Sequence, residues 1–600
     1  MDLGAVLAEC PLFNGMGVPA IDSLASLARL VELRSGERLF PAGAPSDSLY
    51  IVATGRLRAQ TNDGRIVGFM GRLEAIGEVG ALSGAPRGLA VLAIRDSLLI
   101  RIERQALLDA LLKHPEALLA MTRIMVGRLT QSPQEAKRRA ARATRAFALV
   151  PATPAVEAAV SASALRNMFT SWGTVRVLDA EVVDQALGPG AAQALPQARE
   201  ESQRLMNWLN QQESAFRYLV YAAGADSNPW AQRCIRQADR VIVVTDSQAA
   251  PAMTPMVAAI KEAGVLAAVD LVLLRKQGAP SGDVLGWKSL VGARAHYFLQ
   301  PGSESDLASL ARQLAGRGVG LVLGGGGARG FAHIGLIRAL EELHIPVDVI
   351  GGSSMGAFIG AQLACGLSSQ DMVKVMRDTF VSRNYLNDYL IPRVAIIRGR
   401  KFYRRLKEIF GDRQIEELRR PFYCVSSNLT RGTAEVHDQG ELATWVATSM
   451  AVPGIAPPMV YKEALLVDGA LTSSVPTDVM QALGRGPIIA SDVSTDGAIR
   501  APGVQGPDLE GALNWRGQGK APSLREILFR TATLTGQGDA LARAERADLY
   551  LRMPVSELGM FQWQLLEEIV DRGYQFSVEK LKGFREQLTQ RRQDVNETMI

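Results

Sequence analysis

One serine in this chain is set for nucleophilic chemistry. Gly352-Ser353-Ser354-Met355-Gly356 reads G-x-S-x-G, with the apolar VDVI before it and the helix-forming AFIGAQLA after it. Strand, sharp turn and helix in that order make a nucleophile elbow, in which the flanking Gly352 and Gly356 let the turn close and expose the serine hydroxyl. The helix N-terminus adds a positive partial charge beside it. A structural turn serine is the competing reading of the bare pattern. A nucleophilic serine also needs a base, and the chain has five histidines. They are His114, His296, His333, His344 and His437, and none lies beyond the last strong acid candidate, Asp468 in LLVDGAL. The order serine, acid, histidine therefore cannot be completed on Asp468. His437, in AEVHDQG, could serve as a base, but a turn or surface histidine is the plainer reading. A Ser–Asp dyad is the economical alternative: the carboxylate takes the hydroxyl proton and returns it to the leaving group.

A second chemical feature precedes the serine. In VGLVLGGGGARGFAHIG, Gly325, Gly327 and Gly330 satisfy G-x-G-x-x-G, the spacing of a dinucleotide loop. A dinucleotide site wants an acid at the end of the second strand, to hold the ribose. Here the nearby carboxylate, Asp348, stands at the start of that strand, which ends in GGSSMG. A P-loop fails as well, because Phe331 occupies the place of its lysine. Both phosphate readings are poor. A negative charge that appears only during a reaction is the other thing such a loop could stabilise.

The elements that must position these groups can be read from hydrophobic pattern. From Val319 onward strands alternate with helices, including PVDVIGGSSMGAFIGAQL, PFYCVSSNL and LLVDGAL. Upstream, residues 147–312 hold the apolar runs FALVPA, TVRVLD, FRYLVYAAG, RVIVVTD and VDLVLLRK with helical stretches between, which predicts a second parallel sheet. PATPAVEAAVSAS follows its first strand, without a glycine loop or lysine, and no catalytic constellation is visible there. An interaction or spacer role is the default. Residues 1–132 read as short antiparallel strands with turns at Gly43–Ser46, Gly55 and Asn62–Gly64, then amphipathic helices. PQEAKRRAARATR, within the linker 133–146, is a basic run best read as a solvated helical connection rather than an anion contact. The domain organisation expected is thus 1–132, 133–146, 147–312 and 313–600. No internal repeat is visible.

GGGGARG, then G-x-S-x-G about two dozen residues on, then Asp-Gly-Ala about a hundred beyond, resemble the patatin-type acyl hydrolases. The resemblance implies a three-layer α/β/α hydrolase domain with a Ser–Asp dyad. Carried over, Ser354 is the nucleophile and Asp468 its partner. Backbone amides around Gly325, Gly326 and Gly327 form the oxyanion hole, and Arg329 helps shape the loop. GELATWVATSMAVPGIAPPM, VDGALTSSVPTDVM, APSLREILFRTATL and FQWQLLEEIVDRGY are similar to the neuropathy target esterase branch, whose members are lysophospholipases with cyclic-nucleotide-binding-like domains. That similarity covers roughly residues 319–585. It implies a phospholipid or lysophospholipid substrate and catalysis that requires no metal or other cofactor.

The first domain resembles a cyclic-nucleotide-binding β-roll, so a cyclic nucleotide enters as a possible regulator. The cassette is Gly77-Glu78-Val79-Gly80-Ala81-Leu82, followed by Ala85-Pro86-Arg87. By the resemblance Glu78 holds the ribose hydroxyl and Arg87 pairs with the cyclic phosphate, for which a planar guanidinium is suited. Gly88 and Leu89 depart from the family pattern of a small, often hydroxylated residue followed by Ala or Thr. The first change removes a hydroxyl contact and the second adds bulk near the phosphate.

Bulk properties bound the alternatives. Six hundred residues exceed one core, and 47% hydrophobic with 21% charged residues and 57 glycines suits α/β-rich domains. A net charge of +5 is too dilute to argue for nucleic acid, yet does not oppose work at an anionic membrane surface. A cyclic-nucleotide-dependent DNA-binding regulator would need a helix-turn-helix after the β-roll, where an α/β sheet follows instead. A catalytically silent scaffold is disfavoured by the intact Ser354, Asp468 and glycine loop. Cys10, Cys234, Cys365 and Cys424 have no metal-like spacing, and reduced thiols are expected. MDLGAVLAECPLF lacks the marks of a signal peptide. Val349–Gln370 and Leu442–Tyr461 are uncharged and long enough to span a bilayer, but their glycines and prolines favour buried strand–turn–helix pieces. A cytoplasmic location with peripheral contact at the inner membrane face is expected. Asn384–Tyr403, with Phe561 and Trp563, could form a lipid-facing rim, and core packing explains the same residues.

Overall fold

The computed structural model describes residues 2–130, 146–153, 156, 162–195, 198–264, 266–391, 393–494, 515, 527 and 540–597. The basic run at 133–145 and most of APSLREILFRTATL lie outside the described residues. The chain divides into two compact units, Met1–Ala315 and Gly316–Asp594.

The first unit joins a β-roll to a parallel sheet. The roll has two four-stranded antiparallel sheets, ordered 29–33, 97–103, 48–54, 75–76 and 38–40, 90–93, 57–60, 66–70. The parallel sheet has six strands, ordered 175–178, 218–222, 146–151, 240–246, 268–274, 295–299. Five match the apolar runs of the sequence. The sixth, Ala295–Leu299, is a short AHYFL segment whose pattern carries too little signal to be read alone. Roll and sheet meet through charge. Arg95 of the roll donates to Glu213 Oε1 and Oε2 at 2.5 and 2.9 Å and to Asp239 Oδ1 at 2.9 Å, and all three side chains are buried. Burial works against the Arg95 charge, but Asp239 and Glu213 outweigh it and the pKa is raised.

The second unit is built on a mixed sheet ordered 459–461, 464–468, 422–428, 349–353, 320–323, 488–492, 549–552, with Thr433–His437 also paired to 422–428. The five strands from 422–428 to 549–552 in that order are parallel. Alternation along each strand sends side chains to opposite faces. Leu321, Ile350, Cys424 and Ile489 join the core under one helical layer, while Val322, Val349, Tyr423, Val425 and Ile488 join the other. The two layers make the α/β/α sandwich. The uncharged stretch Val349–Gln370 is a strand, turn and helix as expected. Leu442–Tyr461 differs: it is a helix, Leu442–Ser449, then a loop and the strand Met459–Tyr461. Pro453, Pro457 and Pro458 keep the middle of that stretch out of regular structure. Among the described residues no helix is long and apolar enough to cross a membrane.

Candidate active site

The sheet register brings the elbow and the aspartate together. Ser353, the last residue of strand 349–353, lies beside Val425, and Asp468 lies beside Ser426, the next residue on that same neighbour. Ser354 follows at once, and its Oγ donates to Asp468 Oδ2 at 2.6 Å. Ser354 adopts φ 53° and ψ −123°, a left-handed-side conformation that a side-chain-bearing residue takes only where its surroundings impose it. The flanking glycines explain how. A Cβ on Gly352 would meet Gly356 carbonyl atoms at 2.6 Å, and a Cβ on Gly356 would meet the Leu323 carbonyl oxygen at 2.1 Å. The strand-to-helix turn closes only because both are glycine. Ser354 N–H donates to Ser449 Oγ at 2.9 Å, and Ser449 in turn donates to the Val425 carbonyl at 2.7 Å.

Asp468 is 1% exposed. Burial pushes its carboxyl up to about 6, against the lowering influence of the Ser354 hydroxyl and the Ala470 amide. Near neutral pH it is thus a carboxylate able to take a proton, and far closer to working pH than an ordinary aspartate. Among the described residues the side-chain partners of this pair are each other and the Ala470 amide, with no histidine among them. His437 Nε2 bonds Ser426 Oγ at 2.7 Å and its ring stacks on Trp445 at 3.9 Å. It is buried at the end of a strand rather than in the turn or surface place expected. Burial holds it neutral, lowering its pKa to about 4.

The glycine loop lies against the serine. The Gly324 and Gly325 amides are engaged, donating to the Ser491 and Ser474 carbonyls at 2.9 and 3.1 Å. Gly325 therefore anchors the loop instead of offering a free donor, a correction to the expected trio. The amides of Gly326 and Gly327 meet no acceptor among the described residues. Gly327 lines the same cavity as Ser354. Arg329 is 4% exposed and its Nε donates to the Gly326 carbonyl at 3.3 Å, bracing the loop from within. Burial lowers its pKa to about 10. Asp348 accepts from the Val319 amide at 2.9 Å and serves the entry to the first strand.

Sequence reasoning passed over His333, which completes this brace. Its Nε2 contacts the Gly324 carbonyl and its Nδ1 the Ser491 hydroxyl, both at 2.8 Å. A carbonyl only accepts, so Nε2 carries the proton and Nδ1 accepts from Ser491. Desolvation lowers its pKa to about 4, so the ring stays neutral. The Gly324–Gly325 peptide is thereby clamped at its oxygen by His333 and at its nitrogen by Ser474. Within a helix of apolar pattern, nothing in the spacing of His333 marks it. Ser449 was equally silent, because its role is a hydrogen bond to backbone.

Ser354 opens on a cavity of about 240 Å³ whose lining is almost wholly apolar. Phe380, Phe402, Phe561 and Trp563 supply the aromatic wall, with the Phe380 and Trp563 rings stacked at 4.6 Å. Phe380 sits on a π-helical turn, Arg377–Ser382, a rare form found frequently at functional sites. Leu386, Ile397, Ile455, Met459 and Met560 close the rest, and Arg398 is the one charged residue in the lining. Leu386, Ile397, Phe402, Tyr403, Phe561 and Trp563 thus belong to this cavity, the region read as a lipid-facing rim or core. Among the described residues no cluster of His, Cys, Asp and Glu could hold a metal.

The β-roll cassette is arranged differently. Arg87 is 5% exposed. Its terminal nitrogens donate to the Ser48 and Gly77 carbonyls at 2.5 and 3.3 Å, and its guanidinium covers the Phe40 ring at 4.3 Å. Gly77, at φ 83°, is needed for this: a Cβ there would lie 1.7 Å from Arg87 Nη1. Glu78 begins the helix Glu78–Ser83. Leu89 packs against the roll's core, and Gly88 faces open space.

Three family matches run along the chain. Residues 30–114 match the cyclic nucleotide-binding domain, 143–313 the neuropathy target esterase (NTE) family P-loop-like domain, and 321–480 the patatin-like phospholipases. The chain is 29% identical to patatin-like phospholipase domain-containing protein 6 of Pongo abelii, over 94% of this chain and 46% of that one. It is also 29% identical to protein 7 of the same series from Mus musculus, over 91% and 44%. An NTE family protein of Mycobacterium tuberculosis (strain CDC 1551 / Oshkosh) is 29% identical over 95% of both chains. The chain therefore spans about half the length of the animal relatives and nearly all of the mycobacterial one. From N- to C-terminus it carries a cyclic nucleotide-binding domain, an NTE-type P-loop-like domain and a patatin-like phospholipase domain, and it is a homologue of the NTE-type patatin-like phospholipase domain proteins.

Proposed function

We propose that the chain is a serine esterase that hydrolyses carboxylic ester bonds of lysophospholipids or phospholipids through Ser354 and Asp468. One observation carries this reading: a serine hydroxyl 2.6 Å from a buried carboxylate, at a strained elbow facing an apolar cavity. The relatives named as phospholipase domain proteins support the substrate class.

In the first half of the reaction Ser354 Oγ attacks the ester carbonyl carbon while its proton passes to Asp468 Oδ2. The carbonyl oxygen becomes an oxyanion, and the uncommitted amides of Gly326 and Gly327 are the donors placed to meet it. Such donors are worth roughly a hundred- to a thousand-fold each in rate. Collapse breaks the carbon–oxygen bond to the alcohol, which takes the proton from Asp468. Water then adds to the acyl-serine, giving a proton to Asp468, and the fatty acid leaves as Ser354 recovers that proton. The apolar cavity holds the acyl chain, so the substrate comes from a membrane or micelle.

Purified protein and Ser354→Ala are assayed against lysophosphatidylcholine, a diacyl phospholipid and a short-chain ester. Turnover in the wild type alone supports the reading, and equal turnover in both ends it.

The β-roll supports a cyclic nucleotide as regulator through Gly77, Glu78 and Arg87, the expected cassette. A cyclic phosphate would have to replace the Ser48 and Gly77 carbonyls on Arg87. Calorimetric titration with cyclic nucleotides decides. Binding heat that disappears in Arg87→Ala supports regulation, and no heat in the wild type removes the nucleotide.

A further inference from the structure

The cavity wall ends in a hairpin whose exposed tip ester hydrolysis leaves without a task. Asp388–Arg398 doubles back on itself: Tyr389 bridges Ile397, Leu390 N–H donates to Ile396 O at 2.8 Å, and Arg398 N–H to Asp388 O at 2.9 Å. Its return arm is fastened to the cavity wall, where the Ile396 and Ile397 amides donate to the Gly454 and Ile455 carbonyls at 3.0 and 2.9 Å. The tip is apolar and in water. Ile391 is 89% exposed, Val394 68% and Tyr389 56%.

Charge around the tip is one-sided. Between Asn384 and Arg404 stand Arg393, Arg398, Arg400, Lys401 and Arg404 against Asp388 alone. Asp388 is already engaged, accepting from the Gly399 and Lys401 amides. Among the described residues the ion pairs of this region are made by Arg383, Arg405 and Lys407, and Arg393, Arg398, Arg400 and Arg404 pair with no carboxylate. Single exposed hydrophobes need no explanation. Three on one anchored tip, beside cations without counter-charges and next to an apolar cavity mouth, match one environment. At a bilayer interface apolar side chains enter the acyl boundary, while arginines meet anionic headgroups.

We propose that the Asp388–Arg398 hairpin is a docking prong for an anionic phospholipid surface. It seats the cavity mouth on the headgroup layer, so that an acyl chain moves from bilayer to Ser354 without crossing water. The purpose of the prong rests on the esterase reading, but its binding does not need activity.

The test is flotation of the full chain with phosphatidylcholine vesicles, with and without phosphatidylglycerol, alongside turnover of a water-soluble short-chain ester. Wild type and Ser354→Ala should float alike, and better with phosphatidylglycerol. Ile391→Asp should lose about tenfold or more in partition. Arg393→Gln combined with Arg400→Gln should lose about tenfold, and only on the anionic vesicles. Soluble-ester turnover should be unchanged in these variants, which also reports their fold. Equal flotation of Ile391→Asp and wild type overturns the prong. So does indifference to phosphatidylglycerol, and a wild type that ignores both vesicles assigns the patch to a protein partner instead. If no ester is turned over while flotation behaves as stated, the esterase reading fails and the prong stands.

Discussion

Two glycine-led loops in this chain match anion-binding patterns, and they treat their donors in opposite ways. In the loop Gly324–Gly327, the first two amides and the Gly324 carbonyl are clamped, leaving the Gly326 and Gly327 amides without acceptors among the described residues, beside Ser354 and an apolar cavity. In the Gly77–Arg87 cassette, both terminal nitrogens of the key arginine are given to carbonyls of the roll itself, and Phe40 covers its face. The first loop is fixed so that donors stay available. The second uses its donor to hold the fold together. A motif therefore identifies a candidate loop, while the hydrogen-bond accounting shows what the loop can still bind.

Ser354→Ala tests the first half of this contrast most severely. It should lower ester turnover by about ten-thousand-fold or more, measured with a short-chain ester, and should leave thermal unfolding nearly unchanged. Gly326→Ala comes next. Its Cβ would meet the Val493 side chain at 2.6 Å, shifting the free amides, and kcat should fall about a hundredfold with little change in KM. A variant with unaltered kcat would move the oxyanion site elsewhere.

The pH profile gives a smaller but sharper effect. Asp468 accepts a proton only when ionised, and burial raises its pKa to about 6. Below that value the folded enzyme holds the protonated form, so kcat/KM should fall about tenfold per pH unit and level off above it. An acid limb near the ordinary aspartate value would mean that the carboxylate is solvated in use. Arg87→Ala probes the other loop. Losing two buried hydrogen bonds and the Phe40 contact should cost about 2 kcal/mol in the roll's unfolding free energy, followed by chemical denaturation. If stability is unaffected, the cassette is not using Arg87 as its own brace.

The local order of most elements was legible. Five of the six strands of the central sheet announce themselves as apolar runs, whereas Ala295–Leu299 is too short and mixed to do so. The uncharged run Leu442–Tyr461 has no polarity pattern to separate helix from strand, so its order was misread. Ser354 and Asp468 draw attention because a G-x-S-x-G elbow and a missing downstream histidine leave few partners. The clamp around them was not legible. His333 and Ser449 act on backbone atoms distant in sequence, and so does the Gly325 amide, which Ser474 occupies. The cavity wall is likewise gathered from the π turn Arg377–Ser382, the Asp388–Arg398 hairpin, the loop after Ser449 and residues 560–563. No local pattern records such an assembly.

The Arg95 contact has a practical bearing on how this protein can be dissected. A shortened chain that starts after the β-roll would keep Glu213 and Asp239 but lose the guanidinium between them. Removing one side of a buried ion cluster typically costs about 3–5 kcal/mol. The parallel sheet prepared alone should therefore be poorly folded near neutral pH, and failed expression of that fragment would say nothing about its role in the whole chain. Replacing Glu213 and Asp239 with Gln and Asn in the fragment should restore much of its solubility.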